Sequence, residues 1–69
     1  MKQELIDLLQ EIETLGKSAA FGFVLNVANN EMNIEDWERL QDCLREIQAK
    51  ANSANLLTMH LRHGNSNAA

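Results

Sequence analysis

The sequence predicts an all-α fold, in which two short N-terminal helices and one long C-terminal helix form a small bundle completed by dimerisation. Two stretches carry apolar residues at the three- and four-residue spacing of amphipathic helices, one near the amino terminus and one beginning at Trp37. Between them, residues 19–28 are apolar at eight of ten positions. A 69-residue chain can bury little of so apolar a segment, and the uncovered remainder favours a partner.

The length allows one domain at most, which we assign to residues 1–63, followed by a disordered tail over 64–69 that lacks an apolar anchor. Cys43 is the single cysteine, so no internal disulfide can stabilise so small a domain. A lone cysteine and a charged amino terminus unlike a signal peptide predict a reduced, cytoplasmic protein. Since no stretch approaches the roughly 20 apolar residues that span a bilayer, we expect no membrane association.

The net charge is −4 and is unevenly distributed. Residues 1–49 hold all ten acidic residues against four basic ones, whereas residues 50–69 hold two basic residues and no acidic one. An acidic body repels phosphate, and two positive charges make a weak electrostatic footprint. We therefore do not expect nucleic acid to bind this surface.

The first helix is predicted over residues 2–15, where the apolar positions share one face and the acidic residues lie elsewhere. Gly16 followed by Lys17 is typical of a helix C-terminus, and Ser18 can cap a following helix. The predicted apolar stripe consists of Leu5, Leu8, Leu9, Ile12 and Leu15.

The segment 19–28 has the aromatic and β-branched content of a strand as well as a helix-compatible pattern. A strand needs an edge with which to pair, and the chain has no second strand-like run. We therefore predict a short second helix. One face then comprises Phe21, Val24, Leu25 and Ala28, while Phe23 and Val27 lie towards another face and need cover of their own.

The third helix is predicted to begin after Asn33, a favourable N-cap residue followed by acidic residues in the first turn. Its pattern weakens over residues 51–55, where Ser53 could begin a separate short helix. Because neither proline nor glycine interrupts the segment, we favour one helix of about 45 Å ending near His63. Its stripe comprises Trp37, Leu40, Leu44 and Ile47, with Cys43 beside it.

Two features suggest ligand or redox chemistry, and neither is strong. His60 and His63 have a spacing that can share a metal ion, but a stable site needs three or four ligands, and Cys43 lies about 25 Å away along the predicted helix. The neighbouring carboxylates of Asp42 and Glu46 disfavour a reactive Cys43 thiolate. We therefore expect solvated histidines and an unreactive, buried thiol at the margin of the stripe.

Acidic pairs such as Glu35 with Asp36 and Glu38 with Asp42 lie on an exposed face of the predicted helix. Acid–base catalysis needs a concave, partly dry pocket, which so few helices seldom enclose. The sequence contains no glycine-rich phosphate loop, nucleophile elbow or zinc-ligand spacing. We expect no enzymatic activity, no cofactor and no metal ion.

Surplus apolar residues instead predict a binding surface. Trp37 has two interpretations, a core residue at the helix junction or an anchor for a partner, and the scarcity of large side chains favours the core. The C-terminal leucines cover too wide an arc for one narrow seam. The candidate partner-binding residues are Phe21, Phe23, Val27, Trp37, Leu56, Leu57 and Leu61.

The predicted function is that of a small helical adaptor or regulator that binds another, unidentified protein as a modulator, inhibitor or chaperone of the type that phages and plasmids encode. We also expect a homodimer, in which the C-terminal leucines of one chain meet the second helix of the other. One alternative is a permanent subunit of a larger assembly. Another is a dimeric helical nucleic-acid-binding regulator, whose basic face would combine Lys17, Lys50, His60, Arg62 and His63 of two subunits.

Overall fold

The computed structural model describes the backbone of residues 2–68 and the side chains of residues 2–64. Over the described backbone the chain forms two α-helices, α1 (Lys2–Ala28) and α2 (Ile34–Ala68), and no strand. The helices lie antiparallel against each other as a hairpin with principal extents of 53 × 16 × 16 Å. The prediction of an all-α fold is confirmed, including a helical conformation for residues 19–28.

The predicted break at Gly16–Ser18 was wrong, and with it the division into two short N-terminal helices. Gly16 does not adopt the positive φ of a glycine that terminates a helix. An interior glycine costs roughly 0.5–1 kcal/mol relative to alanine. The apolar register continues through it from Leu15 to Ala19 and Phe23, and the packing of that register against α2 outweighs the cost.

One register of side chains on each helix forms the seam between them. Its positions alternate three and four residues apart for most of their length, the spacing that keeps one stripe facing a partner helix. Within the described side chains only Ala54 is buried, at 6% exposure, and the other members are half-buried. The apolar members of the seam are Leu5, Leu8, Ile12, Leu15, Ala19 and Phe23 on α1, and Leu40, Cys43, Ile47, Ala54, Leu57 and Leu61 on α2.

Three residues that we expected in the core stripes, Leu9, Trp37 and Leu44, lie outside the seam and are about half exposed. The predicted stripes were wide enough for two neighbouring helices, whereas a hairpin gives each helix one neighbour and buries a narrower stripe. Cys43, expected beside the stripe, lies within the seam. Its Sγ is 3.6 Å from the carbonyl oxygen of Leu15, to which the thiol donates.

The reversal between the helices is specified by local hydrogen bonds. At the end of α1 the N–H of Glu31 donates to the carbonyl of Asn26 at 2.8 Å, and the N–H of Asn30 donates to that of Val27 at 3.2 Å. Asn30 adopts a left-handed φ of 57°, which asparagine tolerates better than most residues. This pattern is the Schellman motif, which satisfies carbonyls that the helix leaves without partners.

Asn33 caps α2, as predicted. The N–H of Asp36 donates to Oδ1 of Asn33 at 2.8 Å, and the N–H of Asn33 donates to Oδ2 of Asp36 at 3.3 Å. This reciprocal arrangement satisfies two backbone donors at the helix start. The C-terminal motif of α1 and the N-cap of α2 are only a few residues apart. The chain therefore reverses direction in a short turn, and α2 runs antiparallel to α1.

Helix α2 continues through residues 51–55, so the prediction of one helix across this stretch is confirmed. Ala54 supplies the apolar contact at the centre of the weakly patterned segment. The hydroxyl of Thr58 donates to the carbonyl of Ala54 at 2.8 Å within the helix. The predicted disordered tail falls mainly on residues 65–69, whose side chains lie outside the described part, and it stays a prediction.

Candidate protein-binding surface

The seam divides the hairpin surface into two long faces. Two contacts establish the register of the helices: Nζ of Lys50 lies 2.9 Å from Oε2 of Glu11, and Cys43 Sγ lies against the Leu15 carbonyl. With 3.6 residues per turn, the residue after each seam position lies on one face of the hairpin and the residue before it lies on the other. Because the helices are antiparallel, each face contains contributions from both.

The first face, which we call the apolar face, carries six large apolar side chains that are between 37% and 59% exposed. They are Ile6, Leu9, Val24 and Val27 on α1, and Trp37 and Leu44 on α2. Small residues lie among them at Gly16, Ala20 and Ala51, and the uncharged polar residues are Gln41, Gln48, Asn55 and Thr58. Arg62 lies at the end of the face that is remote from the turn. In the middle of this face the one charged residue is Glu13. Near the turn, Val24 and Ala20 line a shallow apolar groove with Leu40 of α2.

The opposite face, which we call the acidic face, carries six carboxylates: Glu4, Asp7, Glu11, Glu35, Asp42 and Glu46. A groove along it is lined by Glu4, Asp7 and Glu11 together with Ser53 and His60 of α2. Its basic residues are engaged by acidic neighbours, because Lys50 pairs with Glu11 and Arg39 pairs with Asp36. The two faces of the hairpin therefore differ strongly in polarity and charge.

The pair of Lys50 and Glu11 connects the helices at the edge of the acidic face. The hydrogen bond and charge of the Glu11 carboxylate raise the pKa of Lys50 above its ordinary value, with a further contribution from Glu46. Partial desolvation opposes this shift without cancelling it. Lys50 is therefore held in its charged form and serves as a link between the helices.

The structure does not bring the seven sequence-predicted binding residues together. Val27 and Trp37 lie on the apolar face. Phe21, at 86% exposure, points away from α2, and Leu56 borders the acidic groove. The remaining three, Phe23, Leu57 and Leu61, occupy the seam, where α1 and α2 already cover part of each side chain. The seam residues are therefore poorly placed to meet a partner.

Four residues of the apolar face were not among the predicted binding residues: Ile6, Leu9, Val24 and Leu44. A sequence signal for them exists on α1. One residue after each seam position, a second register runs through Ile6, Leu9, Gly16, Ala20, Val24 and Val27. Two adjacent apolar registers on one helix indicate two surfaces to cover, and the hairpin covers one of them.

The structure offers less support for nucleic-acid binding, metal binding or membrane insertion than for protein binding. The five residues proposed for a basic face do not share one face of the hairpin, and Lys17 lies 3.4 Å from the Glu13 carboxylate while Lys50 is bound to Glu11. Within the described residues, no group of three or more His, Cys, Asp or Glu side chains is placed to hold a metal ion. His60 and His63 are both exposed. Neither α1 nor the described part of α2 offers a long enough apolar stretch to cross a bilayer.

No protein-family model, curated protein or solved structure matches this chain. Its function must therefore be inferred from the apolar and acidic faces of the hairpin.

Proposed function

We propose that this protein is a small, non-enzymatic adaptor or regulator that binds other protein chains through its apolar face. The observation that carries the proposal is the alignment of six large, half-exposed apolar side chains on one face. Among the described side chains the hairpin buries only Ala54, so this face is not a by-product of a large core reaching the surface. Contiguous exposed apolar patches rimmed by polar residues mark protein interaction sites.

The charge distribution supports the choice of this face over the other. A protein that covers the apolar face desolvates one central carboxylate, that of Glu13. A protein that covers the acidic face must desolvate or neutralise six, and burying an unpaired charge is costly. The acidic face is therefore suited to remain in water while the apolar face is covered.

Trp37 is the strongest single candidate for an anchor on this face. It lies in the first turns of α2, where it lines a groove with Met32 and Ile34 beside the hairpin turn. The pair of Met32 and Trp37 occupies the positions of a hydrophobic staple around the Asn33 cap, which restrains the indole. Restrained, half-exposed tryptophans are frequent hot spots of binding energy.

The proposal can be tested with two adjacent residues that differ in face. Val24→Glu places a carboxylate on the apolar face, and Leu25→Glu makes the same type of change beside it, on the other side of α1. Both side chains are more than half exposed in the hairpin, so neither change opens a cavity in the seam. Epitope-tagged wild type and both variants are expressed in the native cells, and each lysate is fractionated by size.

We expect wild type and Leu25→Glu to elute in the same protein complex and Val24→Glu to elute free of it. A second pair on α2, Leu44→Gln and Leu56→Gln, should behave in the same way, because Leu44 is on the apolar face and Leu56 is beside the acidic groove. If wild type elutes as a free chain, or if all variants elute with the same complex, the proposed surface is wrong.

A further inference from the structure

The hairpin encloses little apolar side-chain volume, since Ala54 alone is buried among the described side chains. Two helices in contact form a single line of side chains, and each member is covered on one side only. The result is a seam in which Ala54 is buried while larger residues such as Ile12 and Ile47 remain half-buried. Domains are normally built from two packed layers around one core, and chains of this size need such packing to be stable.

We propose that the occupant of the apolar face is a second copy of this chain, packed face to face about a two-fold axis as a four-helix bundle. This inference rests on the proposed function and specifies its partner. It packs the two apolar faces against each other, and the seam of each hairpin then adjoins this shared core. A two-fold arrangement covers the apolar face on both copies at once, so this face is not left free to propagate a filament.

The dimensions of the face suit a second hairpin. From Ile6 to Val27 the face runs about 32 Å along α1, at 1.5 Å per residue. With the 16 Å breadth of the hairpin, this is a footprint of about 500 Å² per copy and about 1,000 Å² for the pair. That total reaches the threshold of about 1,000 Å² that a biological interface should clear, and surface corrugation adds to it.

The charges also suit a second copy in this orientation. Two chains of net charge −4 repel each other, and the repulsion is smallest when their carboxylates are far apart. Contact through the apolar faces leaves both acidic faces on the outside of the bundle, on opposite sides of it. Contact through the acidic faces would instead bring twelve carboxylates together, six from each copy. Charge therefore selects the apolar face for self-association.

The experiment uses two glycines of α1 as a matched pair. Neither Gly16 nor Gly22 has a positive φ, and a Cβ added at either position meets no atom within 4 Å in the hairpin. Glutamate is therefore accommodated at both positions within a single chain and gains helix propensity at both. Only Gly16 lies on the apolar face, so only Gly16→Glu places a carboxylate in the proposed interface.

The mass of each purified protein is measured by sedimentation equilibrium at concentrations from 1 to 100 μM. It is compared with the mass of a single chain, 7.8 kDa. We expect wild type and Gly22→Glu to approach twice this mass with the same dissociation constant. A buried, unpaired carboxylate in each copy should weaken association of Gly16→Glu on the order of 100-fold. We also expect the thermal midpoint of wild type to rise with protein concentration, because folding and association are linked.

A wild-type mass that stays near 7.8 kDa throughout overturns the proposal, and so do equal dissociation constants for Gly16→Glu and Gly22→Glu. The two proposals fail separately. A monomeric purified chain that still enters a Val24-dependent complex in the lysate means that a different protein occupies the apolar face. A monomer that forms no such complex overturns the proposed function as well.

Discussion

Nζ of Lys50 lies 2.9 Å from Oε2 of Glu11, and this ion pair joins α2 to α1 across 39 positions of the sequence. The other described ion pairs connect residues three or four apart within one helix. The Lys50 side chain is 27% exposed and that of Glu11 is 53% exposed. The Lys50–Glu11 pair lies at the edge of the acidic face. It therefore contributes to the register of the two helices without requiring a buried charge.

We predict that Lys50→Met and Glu11→Gln each lower the urea midpoint slightly, and that the double variant loses less than the sum of the two. Both side chains are partly exposed to solvent, which screens their attraction, so the coupling is expected to be small. A double-mutant cycle measures it. The Lys17–Glu13 pair within α1 is the control, since its loss does not separate the helices. Strictly additive effects would show that the Lys50–Glu11 pair does not stabilise the hairpin.

The raised pKa of Lys50 predicts a loss of stability in strong alkali. A lysine whose folded-state pKa exceeds its unfolded value contributes stability that is fully present below the unfolded pKa and is lost as pH rises through the folded pKa. The window therefore lies above 10.5, the ordinary value. Urea melts of wild type and Lys50→Met between pH 8 and 12 should show the wild-type advantage disappearing in that window. An advantage unchanged at pH 12 would contradict the assignment.

The cap of α2 gives a local prediction. Asn33→Ala should lower the free energy of unfolding by about 1 kcal/mol, because the N–H of Asp36 loses the acceptor now at 2.8 Å. Asn33→Asp should retain most of the stability, since aspartate is an equally favourable N-cap. Chemical denaturation of the three proteins decides the matter. Equal losses for both variants would show that the amide makes some other essential contact.

The division between seam and face predicts different costs for two apolar residues on α2. Ile47→Ala removes a half-buried seam residue and should cost about 2 kcal/mol. Leu44→Ala should cost less than this in the hairpin itself, because the Leu44 side chain is 51% exposed. Both are measured by urea unfolding at the lowest workable protein concentration, with Glu38→Gln as a surface control. A greater loss for Leu44→Ala there would contradict the seam.

Two substitutions to alanine should have opposite signs. Gly22→Ala should raise the free energy of unfolding by about 0.5–1 kcal/mol, because the added Cβ enters open space and the helix loses an interior glycine. Asn30→Ala should lower it, because alanine tolerates the left-handed φ of 57° less well than asparagine does. Thermal melts suffice, as about 1 kcal/mol shifts the midpoint by several degrees in a domain of this size. A midpoint for Asn30→Ala that equals or exceeds that of wild type would rule out this account of the turn.

The local features were predictable because they depend on residues close together in the chain. The N-cap at Asn33 follows from the residues within one turn of it, and the structure contains that cap. Helix formation over 19–28 followed from the absence of a strand partner, and it is observed. The continuity of α2 across 51–55 followed from the lack of proline and glycine there.

The predicted break at Gly16 was wrong because it depends on residues that are distant in the chain. Whether a glycine ends a helix depends on how the residues around it pack against a neighbouring helix. The four-residue spacing of the apolar residues Leu15, Ala19 and Phe23 did indicate a continuous α1. This register stabilises the helix only if a second helix packs against it. Local propensity disfavours an interior glycine by about 1 kcal/mol at most, and packing along the seam of a 27-residue helix exceeds that amount.

By itself, the sequence determined that this chain is helical, where α2 begins, and that it has more apolar side chains than one small domain can cover. Only the tertiary structure decided which apolar residues lie in the seam and which remain exposed. The reason is geometric: adjacent registers such as Leu8 and Leu9, or Cys43 and Leu44, are equally good helix faces until a second helix covers one of them. Once the turn positions α2 along α1, Leu8 and Cys43 enter the seam, while Leu9 and Leu44 form part of the apolar face.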